Sequence, residues 1–378
     1  MRIGVMLRHY DQHGGGVRVY TRALLDYLVK HPAGHEYVLF FNNPALLGTY
    51  RNQPHVEEVC VPGRSVLMWD QVLLPRALRR RGVDVLFNPK YSIPLSGNYP
   101  SAWVCHGLDW YVMPWASRFT DRLSHRFLVP RYAARASAII AVSEVTRAQL
   151  SEFLHVPPAR ITTVYTGIDE VFRARQSEAA LREVRARYQL PQRYLLYAGA
   201  VYPPKNFTRM VQAYARVGPQ RGVSLVIAGG ENRFLSAGEL AEPARLKLGD
   251  WVKWAGWIDP QTLAAFYQMA QALLLPSLFE SFGLPIVEAM ASGCVVVTSN
   301  RYGAQEIAQD AAVLVDPDSV DAIAAGIEGA LSDAALRARL IDKGYQRSGL
   351  FTWERCAAQT LGVLERIAHP VTLARVGA

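Results

Sequence analysis

Short apolar runs alternate with amphipathic segments along this chain, and this alternation constrains the fold more than any other sequence feature. Each run is too short for a buried helix, and its composition fits a strand that is buried on both faces of a parallel sheet. Strand-like runs that alternate with helical stretches predict βαβ units. The runs lie at residues 2–7, 37–41, 83–87, 102–105, 138–142, 194–199, 224–230, 272–276, 294–298 and 312–315.

These runs form two series, separated by a charged helical segment at residues 174–192. A chain of 378 residues with 50% hydrophobic side chains is long enough to bury two ordinary cores. We therefore predict an α/β protein with two Rossmann-like, doubly wound parallel-sheet domains, at residues 1–173 and 190–350. A final amphipathic stretch, at about 353–378, is expected to pack back on the first domain.

Positive charge is concentrated in the first half of the chain. Residues 1–175 hold 21 Lys and Arg against 13 Asp and Glu, whereas residues 176–378 hold 20 against 19. Such asymmetry suits an anionic partner, although a solvated basic surface is an equal alternative.

A basic amphipathic segment within this half is compatible with peripheral membrane contact. The default interpretation is that its basic face is simply exposed to solvent. Its residues are Arg118, Arg122, Arg126, Arg131 and Arg135, with Phe119, Leu123, Phe127 and Leu128 between them. The chain has no apolar run of about 18 residues and no leader pattern. We therefore expect a cytoplasmic protein, with the inner face of the membrane as its contact surface if it has one.

Neither a metal nor a cofactor is expected. The four cysteines are widely spaced and form no C-x-x-C pair, so disulfides and a zinc site are not predicted. The segment Asp316-Pro317-Asp318 has the D-x-D spelling of some metal sites. It follows a strand and precedes a helix, however, so we predict that its Asp is an ordinary N-cap.

Two glutamates eight positions apart, Glu280 and Glu288, give the strongest local signal. Their segment, residues 276–290, runs from a strand end through a glycine-containing turn into a helix. Ligands of open α/β sheets bind beyond the carboxyl ends of the strands, where helix N-termini attract phosphate. Glu280 is placed to accept hydrogen bonds from sugar hydroxyls, and Glu288 from a ribose diol. From the residues alone, two exposed charges are an equally good interpretation.

The stretch 276–297 resembles the E-x7-E signature of glycosyltransferase family 4, a large retaining family with the GT-B fold. Further segments resemble the family's motifs in the same order along the chain, and the combination is similar to bacterial mannosyl- and rhamnosyltransferases of surface polysaccharide assembly. These segments are the glycine loop and helix at 13–28, the H-D-L-like element at 106–109, the A-V-S-E segment at 141–147, the loop at 198–206 and the F-T-W-E sequence at 351–354.

The resemblance assigns roles to residues that would otherwise count as ordinary loop positions. Lys205 would neutralise the leaving diphosphate, and His106 would hydrogen-bond a hydroxyl of the donor sugar or acceptor. With Glu280, these two are the expected catalytic residues. Because Pro204 stands where many family members have Arg, Arg209 is a candidate for a second cation.

The expected donor-binding residues are carried over from the same motifs. Glycines would allow close backbone approach to the phosphate, and the loops after later strands would contact the base. The set is Gly15, Gly16, Lys205, Arg209, Gly229, Ile258, Ser281, Phe282, Gly283, Leu284, Pro285 and Glu288. The base-contacting loops extend through Gly230 and Trp257.

The function implied by the resemblance is retaining transfer of a hexose, such as mannose, from a GDP- or UDP-sugar to a glycan or lipid-linked acceptor. It would proceed without metal, in a cleft between the two domains. Two alternatives stay open: a nucleotide-sugar epimerase of the same fold, and a non-catalytic basic binding module. No Cys/His finger or RNP-like strand is present, so a nucleic-acid partner is not expected.

Overall fold

A computed structural model shows that the chain divides into two compact units. The first comprises Met1–Gly167 and the C-terminal helix that begins at Trp353, and the second comprises Ile168–Thr352. The structure describes residues 1–11, 15–116, 119–229 and 237–369, with the backbone alone for 119–121 and 237. Residues 13 and 14 of the predicted glycine loop, Arg118, Gly230, residues 370–378 of the final stretch and the side chain of Phe119 lie outside what is described.

The first unit contains a parallel seven-stranded sheet with the order β3-β2-β1-β4-β5-β6-β7. Its central strands are buried on both faces, as their continuous apolar composition predicts. The strands are β1 Arg2–Met6, β2 Glu36–Phe41, β3 Val56–Cys60, β4 Val85–Asn88, β5 Ser101–Cys105, β6 Ala138–Ala141 and β7 Ile161–Thr163.

The second unit contains a parallel six-stranded sheet with the order β10-β9-β8-β11-β12-β13. The strand order reverses direction between β8 and β11, which is where open α/β sheets bind ligands. The strands are β8 Tyr194–Ala198, β9 Ser224–Ala228, β10 Val252–Gly256, β11 Ala272–Leu275, β12 Val296–Ser299 and β13 Val313–Val315.

Helices connect most successive strands, whereas a 3-10 turn, Pro44–Leu46, lies between β2 and β3, and a loop without a helix joins β4 to β5. In the first unit they are α1 Gly16–Lys30, α2 Val66–Met68, α3 Leu74–Arg79, α4 Asp109–Val112, α5 Phe119–Arg135 and α6 Glu144–Leu154. In the second they are α7 Glu178–Tyr188, α8 Phe207–Val217, α9 Ala237–Arg245, α10 Pro260–Met269, α11 Leu284–Ala291, α12 Tyr302–Ala308, α13 Val320–Ser332 and α14 Ala334–Ser348. The chain returns to the first unit with α15 Trp353–Ala368.

The predicted α/β class with two parallel sheets is confirmed. All ten apolar runs form strands, whereas the sequence missed β3, β7 and β10. These three are edge strands, and their side chains are mostly only half-buried. An edge strand needs no continuous apolar run, so the pattern that identified the other strands is absent from them.

Helix α15 packs against α1 and against strands β4, β5 and β6 of the first unit. Its buried face includes Cys356, Val363 and Leu364. The imidazole of His35 lies 3.2 Å from a carboxylate oxygen of Glu365, and Arg366 donates a hydrogen bond to Thr162 Oγ1. The last helix therefore belongs to the core of the first unit.

All four cysteines are free thiols, and three of them are buried. Burial raises the pKa of the Cys105, Cys294 and Cys356 thiols to about 12. Within the described ranges, no helix is both long enough and apolar enough to cross a membrane.

Candidate functional site

Lys205 and Glu280 lie in contact at the carboxyl edge of the second sheet. Lys205 ends a 3-10 turn, Pro203–Lys205, that follows β8, and Glu280 lies in the loop after the neighbouring strand β11. The Lys205 ammonium is 2.5 Å from Glu280 Oε1, and Ser277 donates a hydrogen bond of 2.8 Å to the same oxygen. The two side chains are only 12% and 8% exposed. Glu280 is therefore a buried, paired carboxylate and not an exposed loop charge.

Backbone hydrogen bonds join the two loops that carry this pair. The N–H groups of Leu278 and Phe279 both donate to the carbonyl of Pro204, at 2.8 and 3.3 Å. Pro204 directly precedes Lys205 in the chain. The positions of Lys205 and Glu280 are therefore coupled through main-chain atoms as well as through their side chains.

Asn206 connects three loops at this edge. Its amide nitrogen donates to the carbonyls of Pro276, at 2.9 Å, and Pro317, at 2.6 Å, which follow β11 and β13. Its backbone is left-handed, with φ of 59°, a conformation that Asn tolerates better than most residues. The side chain is buried, so these hydrogen bonds replace water at both carbonyls.

The prediction that Asp316 or Asp318 is an N-cap is wrong. The cap of α13 is Ser319, whose hydroxyl accepts a hydrogen bond from the N–H of Ala322. Both aspartates form ion pairs with Arg301, because this arginine reaches them from the loop after β12. The D-x-D segment is thus occupied by a guanidinium.

Arg209 lies in the first turn of α8, close to these groups. Its guanidinium donates to Asn206 Oδ1 at 3.2 Å and lies 4.0 Å from a carboxylate oxygen of Asp318. It is partly exposed and retains further N–H groups beyond these contacts. Arg209 therefore stays a candidate for a second cation.

The segment after Glu280 forms a tight entry into α11. Gly283 is the N-cap residue with φ of 94°, and Leu284 and Pro285 begin the helix. Phe282 is buried and packs edge-to-face on Phe351, with ring centroids 5.5 Å apart. Among the described residues, no acceptor receives the N–H groups of Ser281 and Leu284. The helix start thus presents free donors next to Glu280.

Glu288 lies in α11 and is half-buried. The hydroxyl of Tyr267 donates to its Oε2 at 3.0 Å. Burial raises the pKa of Glu288 to about 7; the hydrogen bond from Tyr267 opposes this shift and the charge of Asp169 adds to it. The carboxyl group is therefore only partly ionised at neutral pH.

Gly229 lies where three loops converge after β8, β9 and β10. Its N–H donates to the carbonyl of Gly256 at 2.8 Å. A Cβ atom at this position would lie 1.9 Å from the carbonyl oxygen of Gly199, so only glycine fits. Ile258, another predicted base-contacting residue, lies two positions after Gly256 and is buried. The neighbouring Trp257 is exposed.

His106 follows β5 in the first unit. Its Nε2 donates to the carbonyl of Pro89 at 2.7 Å, and Tyr20 packs edge-on against its ring. Burial lowers the pKa of His106 to about 4; the bond to Pro89 opposes this shift, and the charge of Lys90 adds to it. The ring is therefore neutral at pH 7, with Nδ1 as the acceptor.

Gly15 and Gly16 stand at the start of α1. Gly15 is the N-cap residue with φ of 91°, and Gly16 is the first helical residue. Among the described residues, no side chain caps this terminus, and an added Cβ at Gly15 would meet none of their atoms within 4 Å. No side chain of these residues therefore covers the first N–H groups of α1.

The second unit thus brings Lys205, Glu280 and Arg209 to one edge of its sheet, while His106, Gly15 and Gly16 belong to the first unit. No sequence pattern pointed to Ser277, which hydrogen-bonds Glu280, or to Tyr267, which hydrogen-bonds Glu288. Asn206 was recognised only as part of a motif. Its position next to Lys205, a predicted site residue, could have indicated that this polar side chain helps to hold the site together.

Comparison with known proteins is consistent with this architecture. Residues 14–172 match the family described as Glycosyltransferase Family 4, and residues 182–347 match Glycosyl transferases group 1. The chain is 32% identical over 232 residues to the O-antigen chain mannosyltransferase B of Escherichia coli. This match spans 60% of each chain, so it covers less than two thirds of that relative.

Solved structures share the fold over nearly the whole chain. Sucrose-phosphate synthase from Thermosynechococcus elongatus superposes with a TM-score of 0.79 at 24% identity, covering 97% of this chain and 98% of that one. Anabaena Alr3699/HepE, in complex with UDP and glucose, superposes with a TM-score of 0.75 at 18% identity, covering 97% and 99%. The two matched family regions together contain every strand of both sheets except β1, and the fold is that of GT-B proteins. The chain therefore belongs to glycosyltransferase family 4.

Proposed function

We propose that this chain transfers a hexose, specifically mannose, from a nucleoside-diphosphate sugar to a glycan or lipid-linked saccharide. The observation that supports this most strongly is the buried contact between Lys205 and Glu280 at the carboxyl edge of the second sheet. A donor of this class carries a diphosphate, which needs a cation, and sugar hydroxyls, which need an acceptor. The choice of mannose rests on the similarity to the mannosyltransferase of Escherichia coli.

In this proposal Lys205 neutralises the leaving diphosphate while Glu280 holds the sugar. The ammonium has three donors, so it can keep Glu280 as a partner and still reach a phosphate oxygen. Arg209 and the free N–H groups at the start of α11 add to the stabilisation of the diphosphate. Because Ser277 and the shared backbone contacts fix Glu280, these groups need little rearrangement when charge develops.

The reaction proceeds with retention at the anomeric carbon and without metal. The acceptor hydroxyl attacks from the face that the nucleoside diphosphate leaves. The new carbon–oxygen bond forms as the bond to the phosphate oxygen breaks, and the hydroxyl proton passes to that oxygen. No carboxylate acts as a covalent nucleophile. His106, which is neutral, accepts a hydrogen bond from a substrate hydroxyl at Nδ1.

For the nucleotide we propose GDP, with UDP as the alternative. Glu288 accepts hydrogen bonds from the ribose diol. The hydroxyl of Tyr267 contacts Oε2 of its carboxyl group, so Oε1 is the oxygen that we assign to the ribose. The glycine-lined backbone at Gly229 and the buried Ile258 provide the base-contacting wall. Gly15 and Gly16 contribute N–H groups at the start of α1, which no side chain within the described part of the chain caps.

We also propose that helix α5 contacts an anionic membrane surface. Leu123 and Phe127 lie one turn apart on this helix and are both exposed, although they are large apolar side chains. Arg126 and Arg131 are exposed beside them. Exposed apolar residues flanked by arginines are typical of helices that lie in a lipid interface. Replacing both apolar residues by serine should abolish sedimentation with anionic vesicles and leave transfer to a soluble acceptor unchanged.

The transfer reaction is tested by incubating the protein with GDP-mannose or UDP-glucose and a panel of octyl glycosides. We expect release of the nucleoside diphosphate that depends on acceptor, survives EDTA, and yields a product with the anomeric configuration of the donor by NMR. A new nucleotide sugar formed from donor alone would indicate the epimerase. No change in either substrate, together with no binding of nucleotide, would indicate a binding module.

A further inference from the structure

Arg8 and Asp70 form a buried ion pair in the first unit that the proposed reaction does not use. Arg8 Nε lies 3.2 Å from Asp70 Oδ1, and the side chains are 9% and 1% exposed. Asp70 lies in a π-helical turn, Trp69–Leu73, between α2 and α3. Turns of this type are uncommon and occur frequently at functional sites.

A second cation, Lys90, lies in the electrostatic field of this pair. It follows β4, where its N–H donates to Asn88 Oδ1 at 2.9 Å. The side chain is half-buried, and no residue within the described ranges forms a salt bridge with it. Burial lowers the pKa of Lys90 to about 8; the charge of Arg8 lowers it further and that of Asp70 raises it.

The three groups together carry one uncompensated positive charge when Lys90 is protonated. Two cations with a single carboxylate in a partly desolvated environment destabilise the folded state unless a further anion is present. Arg8 contacts Asp70 through Nε alone, and its η nitrogens have no hydrogen-bond partner among the residues described. Donors are therefore available for an oxyanion.

The position of this cluster is also one where ligands bind. Arg8 follows β1 and Lys90 follows β4, and these two strands are neighbours in the sheet. Both residues lie beyond the carboxyl ends of parallel strands. The carbonyl of Pro89, directly before Lys90, is the group that holds the ring of His106. The cluster therefore adjoins the residue that we propose contacts a substrate hydroxyl.

We propose that Arg8 and Lys90 form an oxyanion site that binds a phosphate group of the acceptor. A singly charged phosphate, as in a phosphodiester or diphosphate link, would bring the net charge of the cluster to zero. Arg provides a planar fork and Lys a point charge, a combination suited to phosphate oxygens. The assignment of this phosphate to the acceptor rests on the proposed transfer reaction, whereas phosphate binding itself does not.

The test is thermal unfolding at pH 7 in phosphate and in chloride at equal ionic strength, without any donor. Because a ligand of the native state stabilises it, phosphate should raise the Tm by about 2–4 °C in the wild type. Lys205→Met should show the same rise, because Lys205 takes no part in this site. Lys90→Met should show none, and Lys90→Arg should keep most of it. No rise in the wild type, or an equal rise in Lys90→Met, would overturn the proposal.

The pH dependence provides a check that needs no variant. Guanidinium groups keep their proton in proteins, His106 is neutral above about pH 5, and Asp70 is paired with Arg8. The other described group beside the Lys90 ammonium is the ring of Tyr91, 5.5 Å away. Because inorganic phosphate gains a second negative charge in this pH range, the probe here is dimethyl phosphate, which keeps one charge. Loss of the proton from Lys90 should weaken the effect of this probe on the Tm between pH 7 and pH 9, and an effect that is constant over this range would contradict the assignment to Lys90.

Two further arms distinguish the source of the phosphate. If a soluble phosphorylated saccharide occupies the site, glucose 1-phosphate should stabilise the wild type as inorganic phosphate does, and not Lys90→Met. If a lipid-linked headgroup occupies it, binding to phosphatidylglycerol vesicles should weaken in Lys90→Met and in the presence of phosphate. Either result supports the site. The proposal is contradicted if Lys90→Met is stabilised by glucose 1-phosphate as much as the wild type is and also binds the vesicles as tightly.

Discussion

The ammonium of Lys205 lies 2.5 Å from the carboxylate of Glu280, although 75 residues separate them in the sequence. They reach each other because β8 and β11 are adjacent parallel strands, so the loops that follow them leave the same edge of the sheet. The groups to which we assign the diphosphate and the sugar are thus in contact before any substrate binds. Such preorganisation is the main source of electrostatic catalysis.

Replacing Lys205 by Met should destabilise the second unit, because it leaves the buried carboxylate of Glu280 without its cation. We expect a loss of about 2–4 kcal/mol in the free energy of unfolding. Lys343→Met is the matched control, since Lys343 pairs with Asp310 at 2.5 Å but with side chains 37% and 76% exposed. An exposed pair of this kind contributes about 0–1 kcal/mol. Equal losses in urea denaturation would contradict the role of burial.

Asn206 should stabilise the site through its side chain and its backbone separately. Asn206→Ala removes the hydrogen bonds to two buried carbonyls and places Ala in a left-handed conformation, a loss of about 2–4 kcal/mol. Asn206→Gly removes the same hydrogen bonds but tolerates the backbone, so it should be about 1 kcal/mol more stable than the Ala variant. A Gly variant as stable as the wild type would show that the side-chain bonds contribute nothing.

Glu288 should make stability depend on pH. Its pKa in the folded state is about 7 against an ordinary 4.5. Between these values the unfolded carboxyl loses its proton while the folded one keeps it, so the free energy of unfolding falls as pH rises and levels off above pH 7. Glu288→Gln removes this slope and should exceed the wild type in stability at pH 8, by about 1–2 kcal/mol after allowance for partial exposure.

The control for this experiment is Glu183→Gln, because Glu183 is exposed on α7 of the same unit. Its curve of unfolding free energy against pH should run parallel to that of the wild type. If the Glu288→Gln curve is parallel as well, the raised pKa of Glu288 is refuted.

Glycine should be required at position 229 and dispensable at position 329. Gly229→Ala would place a Cβ 1.9 Å from the carbonyl oxygen of Gly199, so the loops must separate. Gly329 lies inside α13, where an added Cβ would meet, among the described residues, only Leu336 at 4.0 Å. Gly329→Ala should therefore raise stability by about 0.5–1 kcal/mol, whereas Gly229→Ala should lower both the Tm and the affinity for nucleotide. Comparable Tm values for the two variants would contradict this packing.

Much of the fold was predictable because central strands of parallel sheets are continuously apolar. Edge strands such as Val56–Cys60 and Val252–Gly256 lack that pattern, and they were missed. At the site, motif resemblance identified Lys205 and Glu280 but not their contact, which depends on strand order. The D-x-D segment was misread because local spacing favours a cap, whereas Arg301 reaches Asp316 and Asp318 from a different loop.

The most direct test of the central claim is calorimetric titration of wild type, Lys205→Met and Lys343→Met with GDP, UDP and the corresponding nucleosides. If Lys205 binds the diphosphate, the wild type and Lys343→Met should bind one nucleoside diphosphate at least tenfold more tightly than its nucleoside, and Lys205→Met should lose most of that difference. Equal affinity of all three proteins for the diphosphate, or no binding of any nucleotide by the wild type, would contradict the proposed donor site.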